Sequence, residues 1–308
     1  MGNFVVAGVT QWETIVKVQK IPIDYAELTN EKGSIYSSIG GDALNEALAL
    51  KWLGNDVRYM SMIGRTQVPD LINTSQQKIR LNTDYVIPQM QELPNCVILY
   101  DEDRQQQIFE DPKDLRDNVY DMNLFTPMGS WADMVVLANA NFCRPFAEAA
   151  AIHGKRVAVN IRYYSKEKEK YNEDFLRVAS ILYFSDDTLT EDPYDFIKMM
   201  STRYGTEIII LGQGSKGVIL YDRNQELVAH YNTVKTNEIV NTVGAGNAMF
   251  SCFLHYYQET GDSVNAIKNG LLFSSYKIGY MGTSNGFMTT DQMEQWRNLI
   301  WGIRPSLI

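Results

Sequence analysis

Short, almost wholly apolar runs recur along the chain: "NFVVAGV" at the start, then "VRYMSMIG", "WADMVVLAN", "RVAVNIR", "ILYFS" and "EIIILGQG". Runs of this length, bounded by glycine or polar residues, read as strands buried on both faces. Between them the apolar period changes to three or four residues. "ALNEALALKWLGN" places Ala43, Ala47 and Leu50 on one stripe with Leu44 and Leu48 beside it, and Gly54 follows as a stop. "RPFAEAAAIHG", "NEDFLRVAS" and "PYDFIKMMSTRYG" read as further helices, and the repeated strand, helix, strand order predicts parallel β-α-β units. The last third adds strands in "GVILYD" and "LVAHYN", then helices in "AMFSCFLHYYQET", "SVNAIKNGLLFSSYKIGYM" and "TDQMEQWRNLIWG".

A different pattern interrupts this one. "ETIVKVQKIPID", "GSIYSSIGG", "YVIP", "CVILYDED" and "RQQQIFE" alternate apolar and polar residues, as strands with one solvated face do. They predict a small sheet apart from the main body, drawn from about 13–38 and 85–110 of a single domain over 1–308. The charge run "SKEKEK" reads as a solvated helix start.

Composition narrows the function. Lys plus Arg number 28 against 37 Asp plus Glu, a net charge of −9, and no basic stripe offers a nucleic-acid backbone a surface. No apolar run approaches the roughly 18 residues of a membrane span. Cys96, Cys143 and Cys252 are far apart, without metal-ligand spacing, and the start "MGNFVVAGVT" lacks a basic leader, so a reduced, cytoplasmic protein is expected. His153, His230 and His255 share no spacing and read as packing or surface residues.

The chemistry concentrates in "NTVGAGNAMF", Asn241–Phe250. Its glycines allow close backbone approach, and the helix that follows presents unpaired N–H groups and a positive dipole end to an anion. Alone, the stretch is equally a glycine turn that starts a helix.

Together with a second motif it resembles the ribokinase-like PfkB carbohydrate kinases, which carry D-T-x-G-A-G-D at a late helix start and G-G-x-x-x-N before an early helix. Here the early motif is "GGDALN", with Gly40, Gly41 and Asn45 in place about 200 residues upstream of the late one. "GVTQWE" (Gly8 to Glu13) is similar to the family's G-x-x-x-x-D, "NIR" to the end of its D-x-N-x-R, and "GSKG" to the glycine turn before its nucleotide loop. The resemblance spans essentially the whole chain.

It implies a three-layer α/β/α fold with a mainly parallel central sheet and a small β lid, ATP-dependent phosphorylation of a sugar or polyol hydroxyl, Mg²⁺ with or without a monovalent cation near the anion hole, and a homodimer built through the lid. By the same resemblance Glu13, Gly40, Gly41, Asp42, Asn45, Asn160 and Arg162 bind the acceptor, and Ser185, Gly212, Gly214, Gly217 and Thr242 bind the nucleotide. Gly244, Ala245 and Gly246, with the Asn247 amide, form the anion hole.

The departures are specific. Asn247 replaces the aspartate that takes the acceptor's proton, and an amide has no useful basicity. Asn241 replaces the motif's first aspartate, Ala158 stands for the Asp before Asn160, and Gly212 for an expected Thr. Where the family's N-x-x-E should organise Mg²⁺ the chain has Ser185, Asp186, Asp187 and Thr188, leaving Asp186 and Asp187 as carboxylate candidates. Three readings stay open: a sugar kinase, a nucleoside kinase, or a pseudokinase that binds sugar or nucleotide. Trp12 either walls the acceptor pocket or covers the lid hinge.

Overall fold

The computed structural model describes residues 1–73, 79–103 and 105–302. In chain order the strands are β1 (Asn3–Ala7), β2 (Gln11–Lys17), β3 (Ile35–Gly40), β4 (Asp56–Gly64), β5 (Val86–Met90), β6 (Asn95–Tyr100), β7 (Gln106–Asp111), β8 (Met134–Ala138), β9 (Arg156–Tyr163), β10 (Ile181–Ser185), β11 (Ile208–Gly212), β12 (Val218–Asp222) and β13 (Leu227–Tyr231). The helices are α1 (Asp42–Trp52), α2 (Met122–Trp131), α3 (Arg144–Ile152), α4 (Lys166–Val178), α5 (Pro193–Tyr204), α6 (Ala245–Thr260), α7 (Ser263–Lys277) and α8 (Thr290–Trp301).

Nine strands form the main sheet in the order β13-β12-β11-β10-β9-β8-β1-β4-β5. From β11 to β5 every pairing is parallel, and β12 and β13 close the other edge antiparallel. Because side chains alternate across a strand, Phe4 and Val6 enter one core while Val5 and Ala7 enter the other. The first core is covered by α1, α6, α7 and α8, the second by α2 to α5, which gives the expected three layers.

Helix ends follow the local chemistry. Asp192 caps α5, Pro193 fills its first turn and Gly205 ends it at φ 69°, while Thr289 and Gln292 close a capping box on α8. The charge run does start a helix: Ser165 caps α4 by accepting from the Lys168 amide. Helix α2 has no counterpart in the periodicity. Pro127 and Gly129 lie inside it, yet Asp121 caps it, and Gly129 leaves room for the ring of the buried Phe125.

The lid is a separate four-stranded sheet, β3-β2-β6-β7. It is mixed, since β2 runs parallel to β6. One expected lid strand belongs elsewhere: β5, within "YVIP", joins the main sheet beside β4, because Val86 and Met90 are buried against the core and not alternately solvated. Arg104, the first residue of the expected "RQQQIFE" strand, and 303–308 lie outside the described residues.

Candidate functional site

The C-terminal ends of β9, β10 and β11 converge with the N-termini of α1 and α6 beneath the lid. The loop into α6 is shaped by side chains that have lost their charge. Asn241 Oδ1 accepts from the Val243 amide at 3.0 Å and its Nδ2 donates to the Tyr280 carbonyl, so the asparagine performs the structural work of a turn-forming acid. Gly244 has φ 78°, which a β-carbon would strain. The Ala245 amide, expected in the anion hole, donates instead to the Thr242 carbonyl at 3.2 Å. Among the described residues the amides of Gly246 and Asn247 have no acceptor, and no side chain caps α6. They are the orphaned donors that an anion at this helix start would satisfy.

The acceptor side is an interlocked set of amides and carboxyls. Asn247 Nδ2 donates to Asp42 Oδ1 at 2.9 Å, and Asn247 Oδ1 accepts from Asn160 Nδ2 at 3.0 Å. Asn160 also donates to Glu46 Oε1 at 2.7 Å and accepts from the Arg162 amide. The register between β9 and β10 shifts here, with Asn160 facing Tyr183 and Arg162 facing Phe184 so that Ile161 of β9 is the extra residue, and Arg162 takes φ 67°. That conformation costs a non-glycine residue on the order of 1 kcal/mol. It sets the guanidinium between Asp42, at 3.6 Å, and the lid residue Glu110, at 2.6 Å. The Asp42 charge, first among its surroundings, holds the Arg162 guanidinium even more firmly protonated than usual.

Glu13 lies on the inner face of β2, 2% exposed, accepting from Thr283 and Gln11. Burial pushes its carboxyl up against the lowering effect of those hydrogen bonds. Gly40 must be glycine, since a β-carbon would sit 2.1 Å from Glu13 Oε2; Gly41, at φ 118°, would meet the Val9 carbonyl. Trp12, next in β2, faces the opposite way and is 41% exposed, so it does not wall the pocket.

On the nucleotide side Ser185 and Gly212 are adjacent across β10 and β11. Gly214 opens the turn closed by Gly217, whose φ of 108° and close approach to the Tyr231 carbonyl exclude a side chain. Thr242 Oγ1 accepts from Gln106 of the lid. Asp187 Oδ2 accepts from Ser185, and Asp186 Oδ2 from Gln213. Among the described residues no cluster of three or more His, Cys, Asp or Glu is arranged for a metal.

Three residues went unnoticed in the sequence. Glu46 is fully buried on α1, and burial pushes its carboxyl up to about 8. Lys277, at the end of α7, is fully buried; its Nζ donates to the Val243 and Gly282 carbonyls, and burial pushes the ammonium down to about 7 against the opposing pull of Glu13. Tyr183 places its hydroxyl where β-carbons at Gly212 or Gly246 would lie 2.8 and 2.4 Å away. Glu46 and Lys277 each occur inside helical runs where a charged residue reads as solvent-facing, and the Tyr183 hydroxyl is invisible in an apolar strand pattern.

Residues 1–291 match the model of the pfkB family carbohydrate kinases. The chain belongs to that family. Deoxyribokinases of Salmonella typhi and Salmonella typhimurium are 32% identical to it over 111 residues, so the match spans about a third of the chain and 35% of each relative's length. Among solved structures, a microbiome-derived acarbose kinase superposes with TM-score 0.82 at 20% identity, covering 96% of this chain and 98% of its own. The Arabidopsis thaliana ribokinase complexed with ribose and ATP gives 0.74 at 14% identity, with 96% and 98% covered. A Burkholderia thailandensis nucleoside kinase in complex with inosine gives 0.73 at 16%, with 98% and 100% covered. These superpositions establish the ribokinase-like fold for this family member.

Proposed function

We propose that this family member transfers the γ-phosphoryl group of ATP to a hydroxyl of a small sugar or polyol bound between the start of α1 and the lid. The observation that carries the reading is a set of orphaned buried polar atoms, Ser38 Oγ on β3, where it pairs across from Glu13 of β2, and Asn45 Oδ1 and Glu46 Oε2 on α1, the helix that Asp42 opens. An unpaired buried polar atom costs about 1–3 kcal/mol, and a polyhydroxyl ligand supplies the donors and acceptors that relieve it. Glu13, Asp42, Asn45, Asn160 and Arg162 then hold the acceptor, with Gly40 and Gly41 giving it room.

The transferring phosphoryl group is met by the free amides of Gly246 and Asn247, whose preorganised dipoles favour the charge of the transition state. The nucleotide lies along Ser185, Gly212, Gly214, Gly217 and Thr242. The donors fit the Mg²⁺ that ATP carries: Asp186 and Asp187 are hard oxygen ligands, each with one oxygen committed to a neighbour. Bound there, the ion neutralises triphosphate charge. The Lys277 amine already fills the space between the Val243 and Gly282 carbonyls and, when protonated, supplies there the positive charge expected of a monovalent cation.

The outer lid face carries exposed Trp12, Ile35, Val97 and Phe109, which supports a homodimer through the lid. All three cysteines are buried and free, in keeping with a reducing cytoplasm, and among the described residues no helix is long and apolar enough to cross a membrane.

An ADP-release assay with ATP, Mg²⁺ and D-ribose, 2-deoxy-D-ribose, D-fructose or inosine tests the reading. Acceptor-dependent ADP release is expected with a sugar. Release with inosine alone would move the chain to the nucleoside kinases, and no release with any acceptor would defeat kinase function.

A further inference from the structure

The position from which this family draws its proton acceptor is Asn247, and the structure keeps that side chain in a fixed orientation instead of leaving it idle. Its oxygen is bound by Asn160 and its nitrogen points at Asp42. Four carboxyl groups belong to this region, and one of them combines a direct hydrogen bond to Asn247 with partial exposure. Glu46 is fully buried and bound to Asn160, in surroundings that favour its neutral form. Both Glu13 oxygens are engaged, by Gln11 and Thr283, and the residue is 2% exposed. Glu110 is on the lid, paired with Arg162, with that guanidinium between it and Asp42. Asp42 is the exception. It is the first residue of α1, where the helix dipole favours an anion, its side chain is 30% exposed, and it lies one hydrogen bond from the family's base position.

We infer that the catalytic base of this kinase has moved across that hydrogen bond, from residue 247 to Asp42, with Asn247 retained as the amide that orients it. The inference rests on the kinase reading above. In the step, the acceptor O–H proton passes to the Asp42 carboxylate as the acceptor oxygen bonds to the γ-phosphorus. The bond from that phosphorus to the β,γ-bridging oxygen breaks, its electron pair leaves with ADP, and Asp42 afterwards returns the proton to water. Asn247 cannot relay the proton, since a neutral amide lacks a basic site, so Asp42 must touch the hydroxyl itself. Arg162, 3.6 Å from Asp42 Oδ2, offsets the repulsion between this carboxylate and the incoming triphosphate.

The test compares wild type, Asp42→Asn, Asn247→Asp and the exchanged pair Asp42→Asn/Asn247→Asp, with ATP, Mg²⁺ and whichever of the four acceptors gives the fastest wild-type turnover. Asp42→Asn should lower kcat by about 10²–10⁴-fold, the usual worth of a general base, a larger effect than any rise in acceptor KM from the lost binding contact. The exchanged pair restores a carboxylate and an amide across the same hydrogen bond and should recover at least a tenfold part of the loss. Formate added to Asp42→Ala should raise its rate, a readout that a merely structural role would not move and that stands if Asp42→Asn folds poorly. An Asp42→Asn enzyme with near wild-type kcat overturns the assignment. So does a loss confined to KM, or a kcat loss that neither the exchange nor formate recovers. If wild type itself shows no acceptor-dependent ADP release, the kinase reading has failed and the base falls with it; in each of the other outcomes the kinase reading stands.

Discussion

Gly246 has no side chain because the space for one is already filled by the Tyr183 hydroxyl. Replacing it with alanine gains about 1 kcal/mol of helix propensity, which the 2.4 Å approach to that buried hydroxyl offsets, so the melting temperature should change little or fall. Turnover should fall at least about tenfold, because Tyr183, stacked on Phe250, must give way beside the anion-binding amides. Adding Tyr183→Phe should recover part of the loss, measured as kcat. Glu46 gives a second residue-scale expectation. Its folded value near 8 lies above the ordinary 4.5 of a glutamate, so the folded state holds the proton longer and stability falls as pH rises from about 4.5 to 8. Glu46→Gln keeps the shape and removes the charge; its melting temperature relative to wild type should climb between pH 5 and pH 8.5. Lys277 has the opposite sign: its folded value near 7 lies below 10.5, so its contribution rises with pH from about 7 to 10.5 and should remain in Glu46→Gln.

At the scale of elements, the lid is tied to the body at three kinds of contact. Gln106 donates to Thr242, Glu110 pairs with Arg162, and Ile15, Cys96, Ile98 and Tyr100 cluster with Val243 of the anion loop. Glu110 is half exposed, and such pairs contribute roughly 0–1 kcal/mol. Glu110→Gln should therefore leave the melting temperature almost unchanged while acceptor KM rises a few-fold. The Val243 cluster is apolar and buried; Val243→Ser should loosen the lid more, seen as faster hydrogen exchange in β6. Much of this was legible beforehand. The lid strands β2, β3, β6 and β7 announce themselves by alternation, and the glycine motifs place both helix starts. The sequence does not tell β5 from a lid strand because five residues with a proline cannot show whether one face or two are covered. Helix α2 was missed because Pro127 and Gly129 weaken propensity that Phe125 packing restores. The Asp42–Asn247–Asn160–Glu46 linkage joins residues 205, 87 and 114 positions apart, and no local period encodes it.

For the whole molecule, the outer lid face is the open question that solution measurement answers. Val97 and Phe109 are paired across β6 and β7, and Trp12 and Ile35 extend the same apolar sheet surface. Light scattering should give twice the 35.1 kDa chain mass for wild type and a monomer for Phe109→Glu. Turnover should also be indifferent to exchange of potassium for a bulky organic cation, because the Lys277 side chain of α7 already occupies the carbonyls beneath the anion loop. The amide chain has a consequence of its own. It fastens α6, the proposed phosphate-binding helix, to α1 and β9, the proposed acceptor side, through three side-chain hydrogen bonds. The two ligands thus bear on one shared scaffold. A non-hydrolysable ATP analogue should tighten acceptor binding, and the acceptor should tighten the analogue by the same factor, as the reciprocity of coupled equilibria requires.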